Sequence, residues 1–493
     1  MPVREPTPLL ARHPDLPRRL AAVAPGAKLL TRPAEWAPYA CDGLTARRRR
    51  PGMVAVPADA GEVAAILRLC HALEVPVVPR GAGTGLSGGA LPREDALVLS
   101  LARLDRILEI DPEARTATVE PGVRNLELGE AVAPFGLFYA PDPSSQVACT
   151  LGGNVAENAG GVHCLKYGLT VHNLLAVDLV LMNGETVRLG GGGLDGPGLD
   201  LLPVVCGSEG LLGVVTRLRV RLLPRPESVR VVLAAFDALR RAGDAVAAVL
   251  RAGILPAGLE MMDRLALRAV AAYLGPGYPE CEALLLCELD GCAEEAEALA
   301  QRVARCFAEG GAVEIQVART PEACRRLWAG RKAAFPAMGR LAPDYYVMDG
   351  TLPRHRLGEV LETIAALARE HGLAVANVFH AGDGNLHPLI LYDAGVPQQR
   401  EAAEALGRRI LEACVAAGGT ITGEHGVGVE KLDAMCIQFG RGELERFHAL
   451  RRAFDGKGLL NPGKAIPTLH RCAELGGMHV QRGRLPHPEL ERF

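Results

Sequence analysis

The sequence predicts an α+β protein of more than one domain, and three observations carry that reading. At roughly 150 residues per domain, 493 residues make two to four domains. A hydrophobic content of 49% is enough to fill more than one core. Ala/Leu-rich helical patterns alternate with short apolar strands, above all over residues 228–370, and Pro224-Arg-Pro226 punctuates the chain just before them.

The elements follow in order. Residues 1–50 are rich in Pro and Arg and end in Arg47-Arg48-Arg49-Arg50, a run that reads as solvated. Asp59-Ala-Gly-Glu62 is a capping box, and Val63, Ile66, Leu67, Cys70 and Leu73 continue it at helical spacing. Residues 75–79 form a strand that enters a glycine loop. Further strands are expected over 96–101 and 115–120, a helix over 124–133, a strand over 214–223 and a helix over 441–454. Gly190-Gly-Gly-Gly193 reads as a flexible connector, and the last 25 residues as a surface extension.

Composition excludes several function classes. With 54 Lys+Arg against 57 Asp+Glu, the chain lacks the basic surface that nucleic-acid binding requires. No apolar run approaches the roughly 18 residues needed to cross a bilayer, and the start lacks the apolar core of a secretory signal. The thirteen cysteines are scattered with no C-x-x-C pair, which suits a reducing compartment and disfavours an iron–sulfur cluster or four-cysteine zinc site. A cytoplasmic protein without direct membrane insertion is expected. The 57 glycines exceed the roughly 35 that ordinary usage of about 7% would give, and they are unevenly placed.

One concentration is Gly81-Ala-Gly-Thr-Gly-Leu-Ser-Gly-Gly89. It contains the letters G-x-G-x-x-G, but no helix pattern follows, so it is not a Rossmann fingerprint. Nor does Gly-Lys-Ser/Thr close it as in a Walker loop. A tight turn needs one or two glycines; five in nine residues suit a backbone cradle for pyrophosphate. A second stretch, Leu151-Gly-Gly-Asn-Val-Ala-Glu-Asn-Ala-Gly-Gly161, reads as another loop. Its small residues would pack on a flat ring, with Asn154 and Asn158 bonding amide-like edges. A third is Gly207-Ser-Glu-Gly210-Leu-Leu-Gly213.

The other constellation is acid–base. Residues 374–379 and 388–391 flank the turn His380-Ala-Gly-Asp-Gly-Asn-Leu-His387 as a hairpin, which can bring both imidazoles to one rim. Gly423-Glu-His-Gly426 adds a carboxylate and a third imidazole. Two imidazoles and a carboxylate form a catalytic divalent-metal set, leaving His425 free as a base. A zinc hydrolase would use the same ligands, so these residue types alone do not name the reaction.

These motifs, with Asp142-Pro-Ser-Ser145, Lys166-Tyr-Gly168 and Asn461-Pro-Gly-Lys464, resemble the vanillyl-alcohol-oxidase/p-cresol-methylhydroxylase flavoprotein superfamily. The histidine motifs resemble its D-2-hydroxy-acid dehydrogenase branch, and the tail His470-Arg-Cys-Ala-Glu474 with residues 486–493 resembles that branch's glycolate-oxidising members. The resemblance implies an N-terminal segment (1–50) and a PCMH-type FAD-binding domain of two subdomains (51–225). A ferredoxin-like α+β cap (226–465) and a C-terminal extension (466–493) would follow.

The resemblance further implies that Pro79, Arg80, Gly81, Ala82, Gly83, Thr84 and Gly85 hold the FAD pyrophosphate. Pro141, Thr150, Leu151, Gly152, Gly153, Asn158, Ala159, Gly160 and Gly161 would line the flavin, with Tyr167 and Gly168 nearby. Glu209, Gly210, Gly213 and Val215 would meet the adenosine end, and Asn461 would close the site. Thr84 stands where covalently flavinylated relatives often carry a His, so noncovalent FAD is expected. His380, His387 and Glu424 would hold zinc or manganese, His425 would take the hydroxyl proton, and Arg331 would hold the substrate carboxylate. From residue type alone Arg331 would be a surface helix cation.

The implied reaction is oxidation of glycolate or a similar small D-2-hydroxy acid to the 2-oxo acid; a self-sufficient D-lactate dehydrogenase is the alternative. Members of the D-2-hydroxy-acid dehydrogenase branch acting on 2-hydroxyglutarate carry an extra basic residue near the strand written here Tyr345-Tyr-Val-Met-Asp349, and this chain has none there, so the resemblance favours a monocarboxylate. The implied partners are an iron–sulfur subunit and a second FAD-fold subunit, through which the chain would sit peripherally at the inner membrane.

Overall fold

The computed structural model describes residues 7–192 and 198–468. Gly193 of the expected connector, the His470–Glu474 motif and residues 486–493 lie outside the described residues.

A four-stranded sheet is built from β1 (Lys28–Leu30), β2 (Met53–Val56), β3 (Val77–Arg80) and β4 (Leu97–Ser100), in the order β1-β2-β4-β3. Strands β2, β4 and β3 are parallel, and β1 is antiparallel to β2. The helix Ala60–Leu73 crosses over between β2 and β3 and buries Val63, Ile66, Leu67 and Cys70 on one side, the spacing expected of it. Asp59 caps it by accepting the N–H of Glu62, but only half of the expected box forms. The Glu62 carboxylate instead accepts the N–H groups of Ala58 and Gly26, pinning an earlier loop. Leu9, Leu16 and Leu20 join the same core, while Arg47 to Arg50 are exposed as expected.

A second sheet is antiparallel throughout: β5 (Ile107–Asp111), β6 (Thr116–Val119), β8 (Leu174–Val180), β9 (Thr186–Gly190) and β10 (Val214–Arg221), in the order β5-β6-β10-β8-β9. Two short strands, β7 (Leu137–Phe138) and β11 (Leu223–Pro224), pair beside it.

The third sheet has seven antiparallel strands. They are β12 (Ser228–Phe236), β13 (Gly258–Asp263), β14 (Ala283–Gly291), β15 (Glu314–Ala318), β16 (Asp344–Val347), β17 (Ala374–Phe379) and β18 (Pro388–Tyr392), in the order β15-β12-β14-β13-β17-β18-β16. Its apolar strands read as continuous runs because helices cover both faces. In β12, Val232, Ala234 and Phe236 face one core, while Val231, Leu233 and Ala235 face the other. Helices Leu239–Arg251, Ala293–Glu309, Leu357–His371 and Pro397–Ala416 fill the first core; Arg264–Leu274 and Pro321–Ala337 fill the second.

After this sheet the chain returns to the first one. Leu460 pairs with Val77 of β3, the Val77 N–H donating to Leu459 O and the Asn461 N–H to Val77 O. The α+β architecture expected from the sequence is therefore present, and no Rossmann helix follows β3.

The seam between the second and third sheets is ionic. His163 offers Nδ1 to Asp142 Oδ2 at 2.7 Å and Nε2 to Glu288 Oε1 on β14 at 2.9 Å. Carboxylates only accept, so both ring nitrogens must donate and the ring must be an imidazolium. Beside it, Lys166 and Tyr167 both engage the Asp290 carboxylate. Burial lowers the His163 pKa, but Asp142 and Glu288 outweigh it and hold the ring well above its ordinary value.

A folded-state pKa raised in this way adds stability that is complete below the unfolded value of about 6.5 and disappears as pH climbs through the folded value. The melting-temperature gap between wild type and His163→Ala, followed by circular dichroism, should therefore be widest below the ordinary histidine pKa of about 6.5 and shrink as pH rises into the alkaline range. A gap that does not vary with pH would refute the imidazolium bridge.

Candidate active site

A cavity of about 660 Å³ opens between the glycine-rich segments and the seven-stranded sheet, within the roughly 300–1,000 Å³ usual for cofactor sites. The loop after β3 forms one wall, with Pro79, Arg80, Gly81, Ala82, Gly83, Thr84 and Gly85 all lining it. Gly83 has φ +75°, and a Cβ there would run into the Arg80 guanidinium. That guanidinium folds behind the loop onto Pro38 O at 3.2 Å and the Tyr39 ring, so Arg80 braces the cradle from outside.

Residues 151–161, expected as a loop, begin instead as the helix Leu151–Glu157. Thr150 caps it through Oγ1, which accepts the Gly153 N–H. Two glycines in the first turn lower helix propensity, but packing overrides it: a Cβ on Gly152 would meet Pro121 Cβ at 2.4 Å, and one on Gly81 would meet Thr150 Oγ1 at 2.5 Å. Thr150, Gly152, Gly153, Ala159, Gly160, Glu209, Gly210, Gly213 and Val215 line the cavity too.

Seven other expected positions lie outside that lining. Leu151 is in the core, Pro141 O accepts from Asn125, and Gly161 backs onto Asp142. Asn158 ends the helix in the left-handed region and spends its Oδ1 on the Val171 N–H. Tyr167 donates to Asp290, Gly168 turns beside His172, and Asn461 Nδ2 donates to Gly89 O and Glu209 O. Asn154 does line the cavity, its Oδ1 accepting from Asn125. Lining residues that the sequence reading did not assign include Asp142, His163, Glu288, Trp328, Lys332 and Phe335.

The hairpin forms as expected, with Asn377 opposite Pro388 and Gly384 at φ +79° in the turn. It brings the rings of His380 and His387 to 5.1 Å between centroids, and His425 stacks on His387 at 4.9 Å. Glu424 completes the group: its Oε1 stands 3.4 Å from His380 Nε2, 3.1 Å from His387 Nε2 and 3.8 Å from His425 Nε2. Glu424 and His425 line the same cavity as the glycine segments, while His380 and His387 stand behind them.

Three supporting residues were not found from sequence. Glu260 of β13, fully buried, accepts from His380 Nδ1 at 2.7 Å and from Arg331 Nε at 2.8 Å. Arg331 is thus a buried, cavity-lining residue rather than a surface helix cation. Asp349, which follows β16, accepts the N–H groups of Gly423, Glu424 and His425 and the Thr422 hydroxyl. Lys431 Nζ, also buried, pairs with Asp349 at 3.1 Å. None is adjacent in sequence to the motif it supports; an apolar strand with one acidic residue, as in Gly258–Asp263, was the available signal for Glu260.

The charges are strongly coupled. Burial alone would lower the His380 pKa, but Glu260 and Glu424 hold it well above the ordinary value. Glu424 is held well below the carboxylate range, because its histidine neighbours outweigh burial. Burial drives His425 down to about 4 despite Asp349. His387 Nε2 and His425 Nδ1 are buried with no hydrogen-bond partner.

These features fit a divalent cation. Ligand atoms of His380, His387 and Glu424 lie within 4.8 Å of one another, and Glu260 backs His380 as outer carboxylates back metal-bound imidazoles. A second set, Asp349, His387 and His425, meets the same distance, and the donors that Asp349 holds converge on its Oδ2.

The comparisons agree with this architecture. Residues 51–190 match the FAD binding domain family, and residues 225–465 match the family of FAD linked oxidases, C-terminal domain. The "Glycolate oxidase subunit GlcD" of Escherichia coli (strain K12) is 56% identical over 97% of both chains. Its namesake in Bacillus subtilis (strain 168) is 39% identical over 86% of this chain and 91% of its own. A "D-lactate dehydrogenase" of Archaeoglobus fulgidus is 34% identical over 86% of this chain and 94% of its own. Among solved structures, p-cresol methylhydroxylase with substrate bound superposes with a TM-score of 0.74 at 18% identity, covering 93% of this chain and 98% of the other; it shares the fold. The chain belongs to the FAD-linked oxidase family, and it is an FAD-linked oxidoreductase.

Proposed function

We propose that this chain oxidises glycolate, or a similarly small D-2-hydroxy acid, to the 2-oxo acid and passes the electrons to partner subunits. One observation carries the reading: Glu424 and His425 open into the same cavity as the glycine segments of the FAD-binding half, so acid–base and redox chemistry share one space. The names of the relatives at 56% and 39% identity support glycolate over D-lactate.

The glycine loop at 81–85 and the capped helix start at Thr150–Gly153 hold FAD noncovalently. Thr84 offers no imidazole there, and both His163 nitrogens are engaged elsewhere. His380, His387 and Glu424 hold zinc or manganese. When bound, FAD supplies a two-electron acceptor and the metal supplies Lewis acidity at the substrate hydroxyl.

The rest falls to side chains. His425 takes the hydroxyl proton as the α-carbon gives up its hydride. Arg331 holds the substrate carboxylate, and Glu260 fixes the plane of its fork while orienting His380. Lys431 is spent on Asp349, and β16 carries no basic residue, which supports a monocarboxylate substrate.

The relatives at 56% and 39% identity are named as subunits, which supports a complex; we assign an iron–sulfur subunit and a second FAD-fold subunit as the electron acceptors. Among the described residues no helix is long and apolar enough to cross a membrane, and peripheral attachment at the inner membrane is assigned to those partners. The proposed division runs 51–225 for FAD and 226–465 for the cap.

Anaerobic mixing of FAD-loaded protein with glycolate and with D-lactate tests the reading, since glycolate should bleach the flavin faster. His425→Ala should slow that bleaching by about 10²–10⁴-fold with the visible spectrum intact; an unchanged rate removes His425 from the base role. Stripping the metal, or Glu424→Gln, should abolish bleaching while the protein stays yellow. Zinc or manganese should restore only the stripped wild type, and full activity without metal would disprove the Lewis-acid role.

A further inference from the structure

We infer that Glu209 is a positioning residue for the proposed reaction: from the FAD side, it sets the place of the loop carrying Glu424 and His425. The inference rests on the reading above.

Residues 422–428 form neither helix nor strand, so their buried N–H groups need other acceptors. Two carboxylates supply them. Asp349 takes the N–H groups of Gly423, Glu424 and His425, and Glu209 takes the next pair, Val427 N–H to Oε1 and Gly428 N–H to Oε2, each at 2.7 Å. Asp349 belongs to the seven-stranded side, whereas Glu209 follows Cys206 on the FAD side. The loop is strung between the two. Its fit to Glu209 leaves no room for a side chain: Gly426 has φ +78°, and a Cβ there would lie 3.0 Å from Glu209 Oε1 and 2.3 Å from Glu157 Oε2.

Glu209 is itself held in an unusual state. Its φ is +51°, a region that Gly207 and Gly210 on either side enter without strain. Its N–H donates to Ala156 O at 2.8 Å, and its carbonyl accepts from Asn461 Nδ2 at 2.7 Å. A buried glutamate kept in the left-handed region marks a side chain with a task beyond packing. Each oxygen of the carboxylate thus accepts one N–H of the loop. Glu209 therefore transmits the position of the FAD side to a metal ligand and a base.

The test uses FAD-loaded full chain with Glu209→Ala and Glu209→Gln, the second keeping the size and one acceptor. Mn²⁺ binding, read by electron paramagnetic resonance, should weaken about tenfold in Glu209→Ala, as for outer-shell partners generally, and less in Glu209→Gln. Hydrogen exchange over residues 422–428 should quicken in the same order. At saturating Mn²⁺, kcat should fall in that order with KM for glycolate little changed. Wild-type Mn²⁺ affinity and wild-type exchange in Glu209→Ala would overturn the inference, as would flavin loss with the loop's exchange unchanged. If the wild-type protein takes up no Mn²⁺, the metal reading fails instead, and exchange in the loop alone decides the role of Glu209.

Discussion

Much of the active region depends on the buried carboxylate of Glu260. It stands on β13, in the interior of the seven-stranded sheet, and is shared between the His380 imidazole and the Arg331 guanidinium. Burying any one of these charges alone would be costly, and removing one partner of a buried pair typically costs about 3–5 kcal/mol. Together they form a unit that the sheet and the helix Pro321–Ala337 must deliver in register. The unit also fixes chemistry, because Glu260 holds His380 Nδ1 and leaves Nε2 toward Glu424. A group that would hold substrate and a group that would hold metal thus answer to one acid.

Much of the fold could be read from the sequence where the signal was local. The strand Ala374–Phe379, the turn after it and the helix Arg441–Phe454 appear where periodicity and turn chemistry put them. His380 and His387 converge because a hairpin places its two ends side by side, whereas Glu424 and His425 join them on a separate loop held by Asp349 and Glu209. The glycines do mark close approach within the protein, as at Gly152, where a Cβ would meet Pro121.

Other features were not legible, for reasons that are physical. The helix Leu151–Glu157 contradicts its own propensity and exists through a threonine cap and tertiary packing, neither of which periodicity detects. Glu260, Asp349 and Glu209 are single acids in otherwise apolar or glycine-rich stretches, and their partners lie 71 to 219 residues away. The capping box at Asp59 shows the same limit on a small scale, since Glu62 found a better acceptor role across the core than within its own turn.

The pairing of Leu460 with Val77 has a consequence for the order of assembly. The strand that launches the glycine loop gains its last neighbour from a segment made almost 400 residues later, after the whole seven-stranded sheet has left the ribosome. Closing so long a loop is slow but costs little more entropy than closing one half its length. The β3 edge is therefore completed late in the life of a nascent chain. A polypeptide cut short near residue 450 would hold nearly every expected cofactor contact and still lack the edge that keeps them in place.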